Sequence, residues 1–268
     1  MKGLGIIGVG AMGSALARRI AVSGIIPGNA IMLSDKRQGH AEDLARELGL
    51  TSGESPDVAQ LADTIIVAVK PQQVQVVVSE LKHYLTPEHV VVSIAAGISL
   101  TDLAGWIGQE QPVIRVMPNT PCLIGQGAVV ISPNTHVSQA QLDFARSIFA
   151  VTGKAWVLPE GQMDAVTGVS GSGPAYVYVF AEALIDGGVT AGLSHEIATE
   201  LAIQTVIGAA QMVAETGKHP AVLKDMVTSP GGTTAAALRE LEKGSVRAAI
   251  IEAVLAASAR SKELQRRE

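Results

Sequence analysis

Before position 161 the chain alternates short apolar runs with stretches of helical spacing. Gly3–Ile7, Ala30–Ser34, Thr64–Val69, Val90–Ile94, Val113–Val116, Ala128–Ile131 and Ala155–Leu158 read as buried strands. Between them, Ser14–Ser23, Gln38–Leu48, Asp57–Leu61 and Ser138–Val151 read as helices, and Pro71 sits where another would start. The pattern changes at Asp164–Tyr178, DAVTGVSGSGPAYVY, after which strand signals vanish. Helical spans follow near Ala175–Gly187, Glu196–Thr216, Ala221–Val227, Thr233–Lys243 and Ser245–Arg267. Strand-helix alternation followed by helices alone predicts an α/β Rossmann-type domain over 1–160 and an all-α domain over 161–268.

The joint crowds Gly168, Gly171 and Gly173 with Ser170 and Ser172, then runs into apolar Tyr176–Phe180. That is text for a structured, ligand-facing turn rather than a flexible linker. In the second helical span, Leu201, Thr205, Gly208, Met212 and Glu215 form a stripe with little polar surface, which favours a homo-oligomer.

Composition sharpens the picture in three ways. Hydrophobic residues are 47% of the chain but aromatics only 3%, so the core is built from Ala, Val, Ile and Leu. A formal net charge of −5 without a Lys/Arg run argues against nucleic acid, and the Arg266–Arg267 pair reads as a helix end. Cys122 is the single cysteine, which suits a reducing compartment. Met1–Lys2 leads straight into a strand, and runs such as Thr64–Val69 and His89–Ala96 are too short to span a bilayer. The expectation is a soluble, cytoplasmic protein that uses no membrane.

Gly8-Val9-Gly10-Ala11-Met12-Gly13 follows the first strand and opens a helix, the setting of a dinucleotide fingerprint. Gly8 allows the sharp turn, Gly10 lets pyrophosphate reach backbone, and Gly13 lets helix lie on strand. Ser34-Asp35-Lys36-Arg37 ends the second strand. Asp35 suits an NAD ribose, whereas Lys36 and Arg37 suit the extra phosphate of NADP, and the basic pair favours NADP. Lys70, Ala95-Ala96-Gly97 and Met117–Pro121 fall at later strand ends, where open α/β sheets bind ligands. Asn119 and Thr120 offer hydrogen bonds to an amide, or an Asx-turn serving the chain alone. Ser229-Pro230-Gly231-Gly232-Thr233-Thr234 frees backbone N–H groups at a helix start, a carboxylate or phosphate cradle or an ordinary Thr N-cap. No metal spacing appears, GVSGSG departs from the GxSxG elbow, and the six histidines read as surface residues.

AVKP (Ala68–Pro71), AAG (Ala95–Gly97), MPNTP (Met117–Pro121), DAVTGVSGSGPAY (Asp164–Tyr176) and SPGGTT (Ser229–Thr234) together resemble the pyrroline-5-carboxylate reductase family. The resemblance spans essentially the whole chain. It implies a Rossmann domain followed by a helical dimerisation domain, dimers that often assemble into rings, and reduction of 1-pyrroline-5-carboxylate to L-proline with NADPH or NADH. By position, Gly8, Gly10, Ala11, Met12 and Gly13 would hold pyrophosphate, and Ser34, Asp35, Lys36 and Arg37 the adenosine end. Ser55 stands where the family often has Asn near the ribose. Ala68, Val69, Lys70, Pro71, Ala95, Ala96 and Gly97 would line the path to nicotinamide, with Asn119 beside them. Ser229, Gly231, Gly232, Thr233 and Thr234 would bind substrate, and Thr234 is the family position proposed to face the imine nitrogen. Met226 replaces an Asn found in some relatives. Glu160 is a further candidate for balancing the iminium charge. A reductase of another cyclic imine, a β-hydroxyacid dehydrogenase relative and a nucleotide-sensing module are the rival readings.

Overall fold

The computed structural model describes residues 3–265, and Met1–Lys2 and the Arg266–Arg267 pair lie outside the described residues. The chain forms two compact units. One takes the chain as far as Ser172 and again from Ala256, and the other is Gly173–Leu255.

The first unit alternates β1 (Leu4–Ile7), α1 (Ala11–Ser23), β2 (Ile31–Ser34), α2 (Gln38–Leu48), β3 (Thr51–Ser52), α3 (Ser55–Leu61) and β4 (Thr64–Val67). It continues through α4 (Pro71–Leu81), β5 (Val90–Ser93), α5 (Leu100–Ile107), β6 (Val113–Met117), β7 (Gly127–Pro133), α6 (Gln139–Ala150) and β8 (Gly153–Val157). The eight strands make one sheet in the order β3-β2-β1-β4-β5-β6-β7-β8. β1 sits at the point where the order reverses, with Leu4 opposite both Ile31 of β2 and Thr64 of β4. Neighbours are parallel except β6 and β7, which run antiparallel. The link from Pro118 to Gln126 is shorter than the dozen or so residues a parallel crossover needs, so β7 turns back beside β6.

The inner strands are buried on both faces, which is why they read as unbroken apolar runs, whereas β3 and β8 at the two edges have no buried residue. Leu16, Ile20, Ile148 and Phe149 cover one face, and Val74, Val78, Leu81 and Leu103 cover the other. Two elements carry weak sequence signals. β3 is two polar residues recruited by pairing with Met32 and Leu33. α5 has no long apolar period, but Ser99 and Asp102 close a capping box at its start. One histidine also departs from expectation: His89 is buried rather than on the surface. Its Nδ1 accepts the Thr86 backbone N–H at 2.9 Å, so Nε2 carries the proton it donates to the Ala59 carbonyl at 2.8 Å.

The glycine- and serine-rich joint is ordered backbone. α7 (Met163–Val166) widens into a π-helical turn over Thr167–Gly171. The Thr167 and Ser170 hydroxyls donate back to the carbonyls of Met163 and Val166. A Cβ on Gly171 would lie 2.6 Å from Met117 Cε, so the turn packs closely on the end of the β6 methionine.

The second unit holds α8 (Gly173–Thr190), α9 (His195–Thr216), α10 (Pro220–Met226), α11 (Thr233–Lys243) and the start of α12 (Val246–Gln265). Its only buried residues are Ala181, Ala198 and Ala202. Tyr178, Val179, Leu201, Ile203, Ile207, Met212, Ile250 and Leu255 are all exposed. This unit has helices without a core of their own. α9 is also long and apolar enough to cross a membrane by length and composition alone.

Phe149 is the largest fully buried side chain of the first unit. Phe149→Ala should cost about 3–5 kcal/mol through lost burial and the cavity left behind. The shift of the denaturant midpoint measures it, and a change under about 1 kcal/mol would show that the site collapses around the smaller residue.

Candidate active site

The carboxyl end of β1 runs into the glycine turn. Gly8 takes a φ of 96°, and its N–H donates to the Ser34 carbonyl at 2.7 Å. A Cβ there would lie 2.9 Å from the Ala68 backbone, and one on Gly13 would overlap the Gly8 carbonyl oxygen. Glycine at these two positions is what lets α1 lie directly on the β1 and β4 ends. Gly10 differs: a Cβ there meets nothing within 4 Å. It is the N-cap of α1, without a side-chain cap or an acidic residue in the first turn. The N-terminal N–H groups therefore open onto unfilled space, with the partial positive charge of the helix behind them.

That space is a cleft of about 930 Å³ at the reversal in strand order. Gly8, Gly10, Ser34, Asp35, Lys36, Arg37, Ser55, Ala68, Val69 and Lys70 all line it. Ala11, Met12, Gly13 and Pro71 belong to the adjoining helix starts and are not lining residues. Gly53, Glu54, Gln72, Gln73, Val76, Val77 and Glu80 line it as well, and the sequence reading missed them. On α4 the signal was a second apolar stripe: Val74, Val78 and Leu81 are buried, while Val76 stays 69% exposed. A pyrophosphate-bridged dinucleotide fits this donor set, because the helix start supplies uncapped N–H groups and Gly10 leaves room for phosphate.

Asp35, at the end of the second strand, is bonded to backbone on both sides. Its Oδ2 accepts the Val9 N–H at 2.9 Å and its Oδ1 accepts the Arg37 N–H at 2.9 Å. Burial works against its charge, yet those two N–H groups and the Arg37 guanidinium outweigh burial and hold the carboxyl below its ordinary range. The carboxylate is thus turned onto the fingerprint as a brace. Lys36 and Arg37 remain exposed on the cleft rim.

Ala95, Ala96 and Gly97 follow β5 at the next strand end, with Ala95 buried and Ala96 exposed. They do not line the 930 Å³ cleft. Asn119 is buried and turned inward: Oδ1 accepts the Ala128 N–H at 2.9 Å, and Nδ2 donates to the Ser170 carbonyl at 3.0 Å. Its amide ties β7 and the π-helical turn to the end of β6, serving the chain by long-range contacts rather than by an Asx-turn. Glu160 is likewise engaged, accepting the Leu100 N–H at 2.7 Å and the Arg115 guanidinium at 3.1 Å through Oε1.

In the helical unit, Gly231 takes a φ of 70° and Gly232, not a threonine, is the N-cap of α11. The Gly232 N–H closes the bend onto the Ser229 carbonyl at 3.0 Å, and a Cβ on Gly232 would collide with Ser229 Oγ. Neither Thr233 nor Thr234 caps the helix, and no acidic residue occupies its first turn. The start of α11 offers uncapped N–H groups with the two threonine hydroxyls beside them, a donor set suited to a small carboxylate. Among the described residues no His, Cys, Asp and Glu cluster suited to a metal is present.

Comparison with known proteins matches both units. A family model for pyrroline-5-carboxylate reductase dimerisation matches residues 160–264, and one for NADP oxidoreductase, coenzyme F420-dependent, matches residues 3–97. Pyrroline-5-carboxylate reductase of Arabidopsis thaliana is 48% identical over 97% of this chain and 95% of its own. The Plasmodium falciparum pyrroline carboxylate reductase crystal structure with NADP bound is 37% identical, with a TM-score of 0.87 over 98% of both chains. A Coxiella burnetii pyrroline-5-carboxylate reductase structure is 34% identical, with a TM-score of 0.93 over 99% of both chains. With a glycine turn built for a dinucleotide, a helical unit that lacks its own core and near-complete overlap with these relatives, the chain belongs to the pyrroline-5-carboxylate reductase family.

Proposed function

We propose that the chain reduces 1-pyrroline-5-carboxylate to L-proline with NADPH, the last step of proline biosynthesis. The observation that carries this reading is its near-full-length identity to reductases of that name. Mixing the protein with NADPH and the cyclic imine, and following absorbance of the reduced cofactor, tests it directly. Oxidation of NADPH without L-proline formation would overturn it.

NADPH, when bound, supplies the hydride. The chain's part is to bind, orient and shield. The uncapped start of α1 binds the pyrophosphate, and Asp35 keeps that turn in place. With the Asp35 charge spent on Val9 and Arg37, the rim cations Lys36 and Arg37 take the 2′-phosphate. NADH, lacking that phosphate, is a usable but weaker donor. The free N–H groups at the start of α11, just past the Ser229–Gly232 bend, hold the substrate carboxylate, and the Thr234 hydroxyl accepts the iminium N–H. The cyclic iminium already carries the proton that becomes the product's N–H. No strong side-chain acid is therefore needed, consistent with a site poor in His and Cys.

We place the functional boundary between residues 160 and 161, a division supported by the dimerisation model starting at 160. The apolar faces of α8, α9 and α12 pair with a second copy, because helices this bare of buried side chains have no other cover within their unit. Such dimers join into rings, and the protein works as a soluble cytoplasmic enzyme.

Three outcomes follow. Lys36→Ala/Arg37→Ala should raise KM for NADPH tenfold or more while changing KM for NADH less than threefold, about 1.4 kcal/mol against under 0.7. Equal effects on the two cofactors would detach the pair from the 2′-phosphate. Thr234→Ala should lower kcat about tenfold to a hundredfold, roughly 1.4–2.8 kcal/mol, and unchanged kinetics would remove Thr234 from the mechanism. Asp35, with a lowered folded pKa, stabilises the fold fully above about pH 4, and that contribution fades as pH falls through the folded value. The stability gap between wild type and Asp35→Asn should therefore close on acidification in urea titrations run at several pH values.

A further inference from the structure

Arg115 is the one arginine or lysine buried among the described residues, 3% exposed in the middle of β6. Its register neighbours are Ser93 of β5 and Ser132 of β7, both buried and neither charged. Its counter-charge comes from outside the sheet: Glu160 Oε1 lies 3.1 Å from the guanidinium. A guanidinium held out of water is tolerated only with such a partner, so the position of Arg115 dictates where Glu160 sits. The same oxygen accepts the N–H of Leu100, the first residue of α5, at 2.7 Å. α5 does not need Glu160 to begin. Ser99 Oγ accepts the Asp102 N–H and Asp102 accepts the Ser99 N–H, which already satisfies the helix start.

What the extra bond fixes is the loop between β5 and α5. Ile94–Ser99 leaves the sheet at Ser93, and its far end is the Leu100 N–H that Glu160 grips. Within it, Gly97 takes a φ of 77°, and a Cβ there would lie 3.4 Å from Leu264 Cβ. Leu264 is itself held near by Asp164, whose Oδ1 accepts from Ser261 at 2.7 Å and Gln265 at 2.5 Å. The short segment from Glu160 to Asp164 thus holds the Ala95–Gly97 loop from two directions. One direction is a charge pair whose guanidinium is buried and whose carboxylate is part-exposed, and the other is the last turn of α12.

We infer that Glu160 and Arg115 are positioning residues that set the Ala95–Gly97 loop against the nicotinamide end of the cofactor, acting through the Leu100 N–H. This rests on the reading that Ala95–Gly97 borders nicotinamide. It gives Glu160 a different task from answering the substrate's iminium charge, since its own charge is answered by Arg115. The adenosine end of the cleft shares no residue with this clamp. Disturbing the clamp therefore alters orientation for hydride transfer without altering cofactor affinity.

The test uses the full-length protein with Glu160→Ala, Glu160→Gln, Arg115→Met and the Glu160→Ala/Arg115→Met double variant. Near-UV circular dichroism normalises each rate to folded protein, so lost stability is not mistaken for lost turnover. Glu160→Ala and Arg115→Met should each lower kcat at least tenfold, with KM for NADPH changed less than twofold. The double variant should be no slower than the slower single, because one device is being removed twice. Glu160→Gln, which keeps the acceptor for Leu100, should recover most of the rate. Amide exchange over residues 95–100 of the cofactor-free protein should accelerate at least tenfold in both single variants. Reduced-cofactor emission in the NADPH complex should shift at unchanged Kd.

Wild-type kcat in Arg115→Met beside a fall in Glu160→Ala would overturn the proposal in favour of direct action on the substrate. Multiplicative losses in the double variant, or unchanged loop exchange, would overturn it as well. If the wild type fails to reduce 1-pyrroline-5-carboxylate, the proposed function falls, and the exchange and emission readouts still judge the clamp.

Discussion

The cofactor cleft depends on one close approach, that of the α1 start to the β1 turn. Gly13 lies where any side chain would overlap the Gly8 carbonyl, and Gly8 lies where a Cβ would press on the Ala68 backbone. Three strand ends and a helix start are thereby brought to one spot. The approach leaves N–H groups without intrahelical partners pointing into open space, an arrangement that would be unfavourable if buried and empty. An anionic ligand resolves it. Asp35 adds the last restraint by holding the Val9 N–H, so its carboxylate braces the fingerprint turn.

The helical unit follows a different constraint. A chain rich in Ala and Gly and poor in aromatics makes helices that approach closely but bury little volume each. In Gly173–Leu255 only three alanines are buried, while Val, Ile, Leu, Tyr and Met side chains remain exposed. That surface has no cover within the unit, which is the observation behind the proposed pairing with a second copy.

The Glu160–Arg115 pair connects these themes to turnover. Buried charge is an expensive way to hold a loop when a capping box is already present, and an apolar contact would often hold it as well. Its use here suits a requirement for place rather than stability. A hydride moves only when donor and acceptor are held within a narrow geometry, and a small shift of a supporting loop is enough to lose it.

Much of this was legible along the chain because it is local. The fingerprint glycines, the alternation that ends near residue 160 and the SPGGTT bend all act within a few residues of themselves. The apolar runs located seven of the eight strands; burial on both faces gives the inner ones an unbroken signal, while β8, with Trp156 and Val157 exposed, shows through composition alone. Contacts across many residues were decided by tertiary structure. Which N–H Asp35 braces, which carbonyl the Asn119 amide reaches, and which charge answers Glu160 each depended on partners 26, 51 and 45 residues away. β3 and the buried His89 belong with these, because a two-residue polar strand and a histidine between two loops gain their place only from neighbours the sheet supplies. Spacing along a chain records periodicity and turn chemistry, but the orientation of a polar side chain is set by whichever donor or acceptor folding brings within 3 Å or so, and no local pattern encodes that.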